Sequence, residues 1–149
     1  MKERTRARSL ALQVLYEIDL SDHLPGTVFS QRLKEFSLSA KEKKSEELED
    51  FARRIVFGII PLTEKLDKAI AEYAPDWPLD QIAPTDRNIL RIAFWEFGIS
   101  QETPTKVAIN EAVELAKVYG SDAAPSFING VLGSLAKFKN EIFMSLKGL

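Results

Sequence analysis

The chain has 149 residues, of which 45% are hydrophobic and 28% charged, with a formal net charge of −2 and no cysteine. This composition is typical of a soluble globular protein, and the length suits one domain or two small subdomains that share a core. The absence of cysteine excludes disulfides, thiolate zinc sites and a cysteine nucleophile. The near-neutral total does not by itself indicate a nucleic-acid partner, which more often accompanies an excess of positive charge.

The first third of the chain predicts two helices. Pro25-Gly26 is a strong helix breaker, so the first helix is expected to end before it. Thr27 is the predicted N-cap of a second, shorter helix. The apolar residues of the first helix recur at three- and four-residue spacing and predict one buried face: Ala7, Leu10, Ala11, Val14, Leu15 and Ile18.

Five more helices are predicted in the remaining chain. The third spans Leu48 to Ile59, and Pro61 is expected to break or kink the chain before a fourth helix that reaches Tyr73. The fifth helix is predicted to begin near Pro84 and to end at Gly98. The sixth is predicted to begin after Thr105 and to end at Gly120, and Asp122 is the candidate cap of the seventh. With no alternating β pattern, about seven helices predict an all-α, bundle-type fold.

The sequence lacks the signatures of an enzyme. The glycines are scattered and form no phosphate-binding loop, and the single histidine, His23, lies near the end of a predicted helix. Carboxylate pairs such as Glu111 and Glu114 have a spacing that usually means solvated helix surface. No apolar run approaches the ~20 residues that cross a bilayer. We therefore expect a cytoplasmic protein without catalytic activity or cofactor.

The charge is unevenly distributed along the chain. Residues 1–8 carry four basic residues and one acidic residue, a side-chain charge of +3, whereas residues 63–86 carry −4. Arginine suits phosphate because its planar guanidinium donates two parallel hydrogen bonds and can stack on bases. Basic termini are common, so an incidental basic N-terminus remains an alternative to RNA binding.

Three blocks in the C-terminal half follow one another in a characteristic order: DRNILRIA at residues 86–93, PTKVAINEAVELAK at 104–117 and FINGVL at 127–132. With the arginine-rich start of the first helix, they resemble the transcription antitermination factor NusB family over nearly the whole chain. The resemblance implies a single domain, residues 1–149, of two packed helical subdomains, about 1–60 and 61–149. It also implies binding of boxA RNA together with NusE, a small-subunit ribosomal protein. The pair would join an RNA polymerase antitermination complex that acts notably on ribosomal RNA, with no cofactor.

Position by position, the resemblance implies two sets of binding residues. The RNA-binding set is Lys2, Arg4, Arg6, Arg8, Tyr16 and Phe127. The partner-binding set is Tyr16, Asp86 and Arg87. Core packing is an open alternative for Phe127, and Gly130 is expected at a close contact between helices.

Two other functions remain open at this stage. The chain could be an RNA-binding module related to the N-terminal domain of ribosomal RNA methyltransferases, although it lacks the catalytic cysteines of those enzymes. It could also be a helical protein-interaction factor, including a homodimer, whose basic N-terminus is incidental.

Overall fold

Eight α-helices account for most of the chain that the computed structural model describes, residues 2–39 and 45–147. No strand occurs in these residues, which confirms the predicted all-α fold. The seven predicted helices are present, and an eighth follows them. Their bounds are α1 Glu3–Leu20, α2 Pro25–Ser39, α3 Glu46–Ile59, α4 Thr63–Tyr73, α5 Pro84–Phe94, α6 Thr105–Tyr119, α7 Ala124–Ala136 and α8 Lys139–Leu146.

The helices belong to two compact units, Met1–Gly58 and Ile59–Leu149. The packing of two subdomains into one domain stays a prediction. None of the described helices is both long and apolar enough to cross a membrane.

The first unit contains α1, α2 and most of α3. Five of the six residues of the predicted apolar face of α1 are buried, with Leu10 and Val14 fully inaccessible to solvent, and Ile18 is half-buried. Removing such side chains from water is the main favourable contribution to folding. Phe29 of α2 and Phe57 of α3 pack with ring centroids 5.7 Å apart, so α2 and α3 are joined by an aromatic contact.

The start of α2 differs from the prediction. The helix begins at Pro25, so Thr27 lies inside the first turn and is not the N-cap. The Val28 amide already donates to the Leu24 carbonyl at 3.0 Å. Proline is favoured in the first turn because its fixed φ suits a helix and its missing N–H has no intrahelical acceptor there. Pro25 therefore begins α2, and α1 ends before it at Leu20, as predicted.

The second unit is organised around α5, which packs against α4, α6 and α7. Residues 88–98 are buried without interruption. Arg91, in the middle of the DRNILRIA block, makes a two-pronged ion pair with Asp67 of α4, with nitrogen–oxygen distances of 2.8 and 2.6 Å. This residue of the block therefore joins two helices.

Gly98 does not end the fifth helix, contrary to the prediction. The chain continues through a π-helical turn, Trp95–Ser100, and stops at Gln101, whose φ of 59° is left-handed. A side chain at position 98 would meet the Phe94 ring at 3.1 Å. The glycine is thus explained by ring packing within the turn.

Of the two glycines discussed for the later helices, Gly120 lies at the end of α6, as predicted, whereas Gly130 does not make the predicted contact. Gly120 caps α6, and a Cβ there would come within 2.6 Å of the Ala124 Cβ, so the glycine allows the end of α6 to approach the start of α7. The expected close contact at Gly130 is wrong, because nothing lies within 4 Å of a Cβ built at that position. Asp122 is not the cap of α7 either: that position belongs to Ala123, which makes no side-chain capping bond.

Candidate nucleic-acid interface

The N-terminal arginines differ in their exposure to solvent. The Arg4 side chain is 43% accessible, whereas Arg6 and Arg8 are only 5% and 4% accessible as residues. Lys2 is exposed immediately before α1. Of the four predicted phosphate contacts, Lys2 and Arg4 are therefore the two that solvent reaches readily.

Arg6 is held by neighbouring side chains. Its guanidinium donates to Glu3 at 2.8 Å and lies 5.3 Å from the centre of the Phe36 ring. The Ser45 hydroxyl donates to the other Glu3 oxygen and accepts the Leu48 amide at the start of α3. The bond from Ser45 and then the bond from Arg6 lower the pKa of Glu3. These contacts join α1 to the start of α3, so Arg6 has a structural role.

Three arginines surround one aromatic ring in the first unit. The guanidinium carbons of Arg4, Arg8 and Arg54 lie 4.5, 5.1 and 5.4 Å from the centre of the Phe51 ring. We call these four residues the Phe51 cluster. Such cation–π contacts hold a charged group in place without neutralising it. The cluster thus contains two predicted RNA-binding residues, Arg4 and Arg8, and one that was not predicted.

Arg54 was not among the predicted RNA-binding residues, although its spacing from Phe51 is visible in the sequence. It follows Phe51 by three residues in a predicted helix, which places the two side chains on neighbouring positions of the helix surface. Contact with α1 depends on tertiary packing, which no periodicity reveals. A search for basic residues beside a buried aromatic would have found it.

Tyr16 is an exposed residue of α1, with 40% of its surface accessible. A tyrosine in this setting offers a flat apolar face and a hydroxyl to a ligand. Its predicted contacts with RNA and with a partner protein stay predictions.

In the second unit, the structure brings Asp86 and Phe127 to one cavity of about 360 Å³. We call it the Asp86 cavity. Phe127 is neither fully buried nor fully exposed, and its ring packs edge-on against Trp77, with centroids 6.4 Å apart at 76°. Trp77 was not predicted as a site residue, because only the fold brings it to Phe127. Lining residues include Trp77, Pro78, Asp86, Ser121, Ala124 and Phe127.

Asp86 lies in the first turn of α5 and is partly buried. Its Oδ1 atom is buried without a hydrogen-bond partner among the described residues. Burial raises the pKa of this carboxyl, because the charged form has lost water. Arg87, next to it, is half-buried on the same helix. The Oδ2 atom of this half-buried carboxylate can accept a hydrogen bond from a ligand or a partner.

Comparison with known proteins identifies one family. The family model described as the NusB family matches residues 5–137. The transcription antitermination protein NusB of Roseiflexus sp. (strain RS-1) is 48% identical over 134 residues, covering 89% of this chain and 90% of the relative. The NusB protein of Bacillus pumilus (strain SAFR-032) is 39% identical over 142 residues, covering 95% and 98%.

A solved structure extends the comparison to the fold. The crystal structure of antitermination factors NusB and NusE in complex with dsRNA contains a chain that is 28% identical, with a TM-score of 0.79 and coverage of 92% of this chain and 98% of that one. The similarity in sequence and in fold shows that this chain belongs to the NusB family.

Proposed function

We propose that this protein is an antitermination factor that binds boxA RNA together with NusE and suppresses transcription termination, notably in ribosomal RNA synthesis. The observation that carries the proposal is the similarity, over 92% of the chain, to a protein solved in complex with NusE and RNA. The curated relatives are covered over 90% and 98% of their own length and are named as antitermination proteins. This favours antitermination over a module of a methyltransferase.

The RNA backbone is assigned to the two most accessible of the four predicted N-terminal cations. Lys2 and Arg4 contact phosphates, and Arg4 is placed by the Phe51 ring. Arg6 and Arg8, which are almost inaccessible, act as positioning residues that hold α1 and the ring in place. Backbone contacts of this kind supply affinity and little sequence information.

An RNA base is assigned to Phe127 in the Asp86 cavity. Single-stranded RNA is recognised by stacking of unpaired bases on aromatic side chains. The Phe127 ring is partly exposed and held edge-on by Trp77, so its orientation is set before a base arrives. Tyr16 offers a second aromatic face in the first unit.

The contact with NusE is assigned to Asp86, with Arg87 and Tyr16 as further partner-binding residues. The Asp86 carboxylate has a buried oxygen that lacks a donor among the described residues. The Oδ1 atom is out of reach of a partner, but a lysine or arginine of NusE would donate to the Oδ2 atom of this half-buried carboxylate and so reduce the cost of burying the charge.

The location and the larger complex of the protein follow from its role in antitermination. The protein acts by binding rather than by catalysis, and it works in the cytoplasm as part of an RNA polymerase antitermination complex. A homodimer would be an RNA-free form that covers the binding residues.

Fluorescence anisotropy tests the proposal. A fluorescein-labelled RNA that contains boxA and a scrambled RNA of the same composition are each titrated with the protein, with and without NusE. We expect weak binding of the boxA RNA alone and tighter binding with NusE. Equal affinity for the two RNAs under both conditions would contradict the proposed function.

A further inference from the structure

We infer that Arg54 of α3 is a phosphate-contacting residue, so that the RNA backbone is held by two helices rather than by the N-terminal arginines alone. The inference rests on the proposed RNA binding and concerns a residue outside the set that the family resemblance implies. Arg54 is an exposed residue, and it shares the Phe51 ring with Arg4 of α1.

The geometry around Phe51 favours a polyanion as the ligand. A cavity of about 430 Å³ adjoins the ring and is lined by Arg4, Phe51 and Arg54 together with Arg53, Glu47 and Asp50. Bringing several guanidinium groups to one ring opposes folding through charge repulsion, and a bound phosphate would relieve that repulsion. Guanidinium groups over a ring can still donate N–H bonds in their own plane.

The carboxylates in the cavity do not prevent such binding. Arg4 lies 3.5 Å from Glu47, and the two side chains are 43% and 60% accessible. An ion pair with this exposure is weak because water screens it. A phosphate, with more acceptor oxygens than one carboxylate, can replace Glu47 as the partner of Arg4.

Arg8 and Arg54 differ in their exposure to solvent and therefore in their access to an RNA backbone. Arg8 is 4% accessible, so it holds the ring from inside the unit. Arg54 is one helical turn from Phe51 and open to solvent. The two residues that present cations to a backbone from this ring are therefore Arg4 and Arg54.

Arg53 lines the same cavity, so it provides a comparison on the same helix that separates the effect of the Phe51 ring from the effect of cavity charge. It carries the same charge as its neighbour, but its guanidinium lies over a different ring, 4.7 Å from the centre of Phe29. It also pairs with Glu49 at 3.4 Å. Arg53→Gln and Arg54→Gln thus remove the same charge from adjacent positions, and only the second removes a cation from the Phe51 ring.

The test measures affinity for the labelled boxA RNA over a series of KCl concentrations for the full-length protein. We expect Arg54→Gln to weaken binding about fivefold and to reduce the slope of log K against log salt by ~0.7, the value for one phosphate contact on a single strand. Arg54→Lys, which keeps the charge, should retain the slope. Arg53→Gln should change the slope by less than half as much.

Other results would overturn the inference. An unchanged slope in Arg54→Gln, in a protein whose circular dichroism and melting match the wild type, removes Arg54 from the interface. Equal effects of Arg53→Gln and Arg54→Gln would mean that α3 contributes only diffuse charge. A loss of NusE capture without a change in RNA binding would assign the surface to a protein. Because the wild-type protein is tested separately on boxA and scrambled RNA, failure of the proposed function is distinguishable from failure at Arg54.

Discussion

The Phe51 cluster of the first unit and the Asp86 cavity of the second unit both contain residues implied to bind, but they differ in charge and shape. The cluster places three guanidinium groups around one ring. The cavity places a partly exposed ring beside a carboxylate whose Oδ1 atom has no hydrogen-bond donor among the described residues. Cations bind any phosphate, whereas an aromatic face and a directed acceptor respond to the identity of the base or partner. We therefore assign RNA affinity to the Phe51 cluster and selectivity to the Asp86 cavity.

The largest expected effect concerns the cavity. Phe127→Leu keeps an apolar side chain beside Trp77 but removes the face on which a base stacks. Stacking contributes about 1–3 kcal/mol per base, so we expect affinity for boxA RNA to fall about tenfold, with the salt dependence unchanged. Anisotropy titrations at two salt concentrations measure both quantities.

Phe138→Leu is the control for the loss of a ring. Phe138 is 41% exposed in the same unit and packs on Tyr73 at 5.3 Å, away from the Asp86 cavity residues. It should leave RNA affinity unchanged. If Phe138→Leu weakened binding as much as Phe127→Leu, general destabilisation would explain both results.

The next effect is on the melting temperature, and it separates arginines that stabilise the fold from arginines that contact RNA. Arg6→Gln removes a buried cation that bonds to Glu3 and packs on Phe36, so we expect the melting temperature to fall by about 5–10 °C. Arg4→Gln, at a position whose side chain is partly accessible to solvent, should shift it by no more than about 2 °C. Differential scanning calorimetry of both variants checks this, and similar shifts would contradict the division of roles.

The smallest effect concerns the charge of Asp86. Because burial raises the pKa of Asp86 above its ordinary value of 3.8, the folded state binds more protons just above that pH, and stability falls as the carboxyl ionises. Asp86→Asn removes this cost, so the melting temperature should rise by about 3 °C at pH 7 and stay unchanged at pH 3. An equal rise at both pH values would refute the role of charge.

Asp80→Asn is the matched control for this variant, since Asp80 is exposed in the same acidic stretch. It should leave the melting curve unchanged at both pH values. Asp86→Asn should also weaken capture by immobilised NusE, and Asp80→Asn should not. Normal capture by Asp86→Asn would remove the carboxylate from the partner contact while leaving the stability prediction intact.

The helices were largely predictable because the spacing of apolar residues and the positions of proline and glycine are local properties of the sequence. The errors arose where one residue type has two uses. Pro25 was predicted only to separate two helices, but it also begins α2. Gly98 makes room for the nearby Phe94 ring instead of ending a helix. Periodicity cannot separate these uses, because they depend on the neighbours that the fold supplies.

The candidate site was less predictable than the fold. Charge alone made the N-terminal arginines equivalent, whereas their burial depends on Glu3, Phe36 and Phe51. Trp77 and Arg54 joined the candidate surfaces only when tertiary packing was known. Resemblance to a family supplied Asp86 and Phe127, which the fold brings to one cavity.

The most direct test of the division between affinity and selectivity is the salt dependence of boxA RNA binding by wild type, Arg4→Gln and Phe127→Leu. Arg4→Gln should reduce the log–log slope by ~0.7, and Phe127→Leu should lower the affinity at every salt concentration without changing the slope. The division would be contradicted if Arg4→Gln left the slope unchanged or if Phe127→Leu reduced it equally.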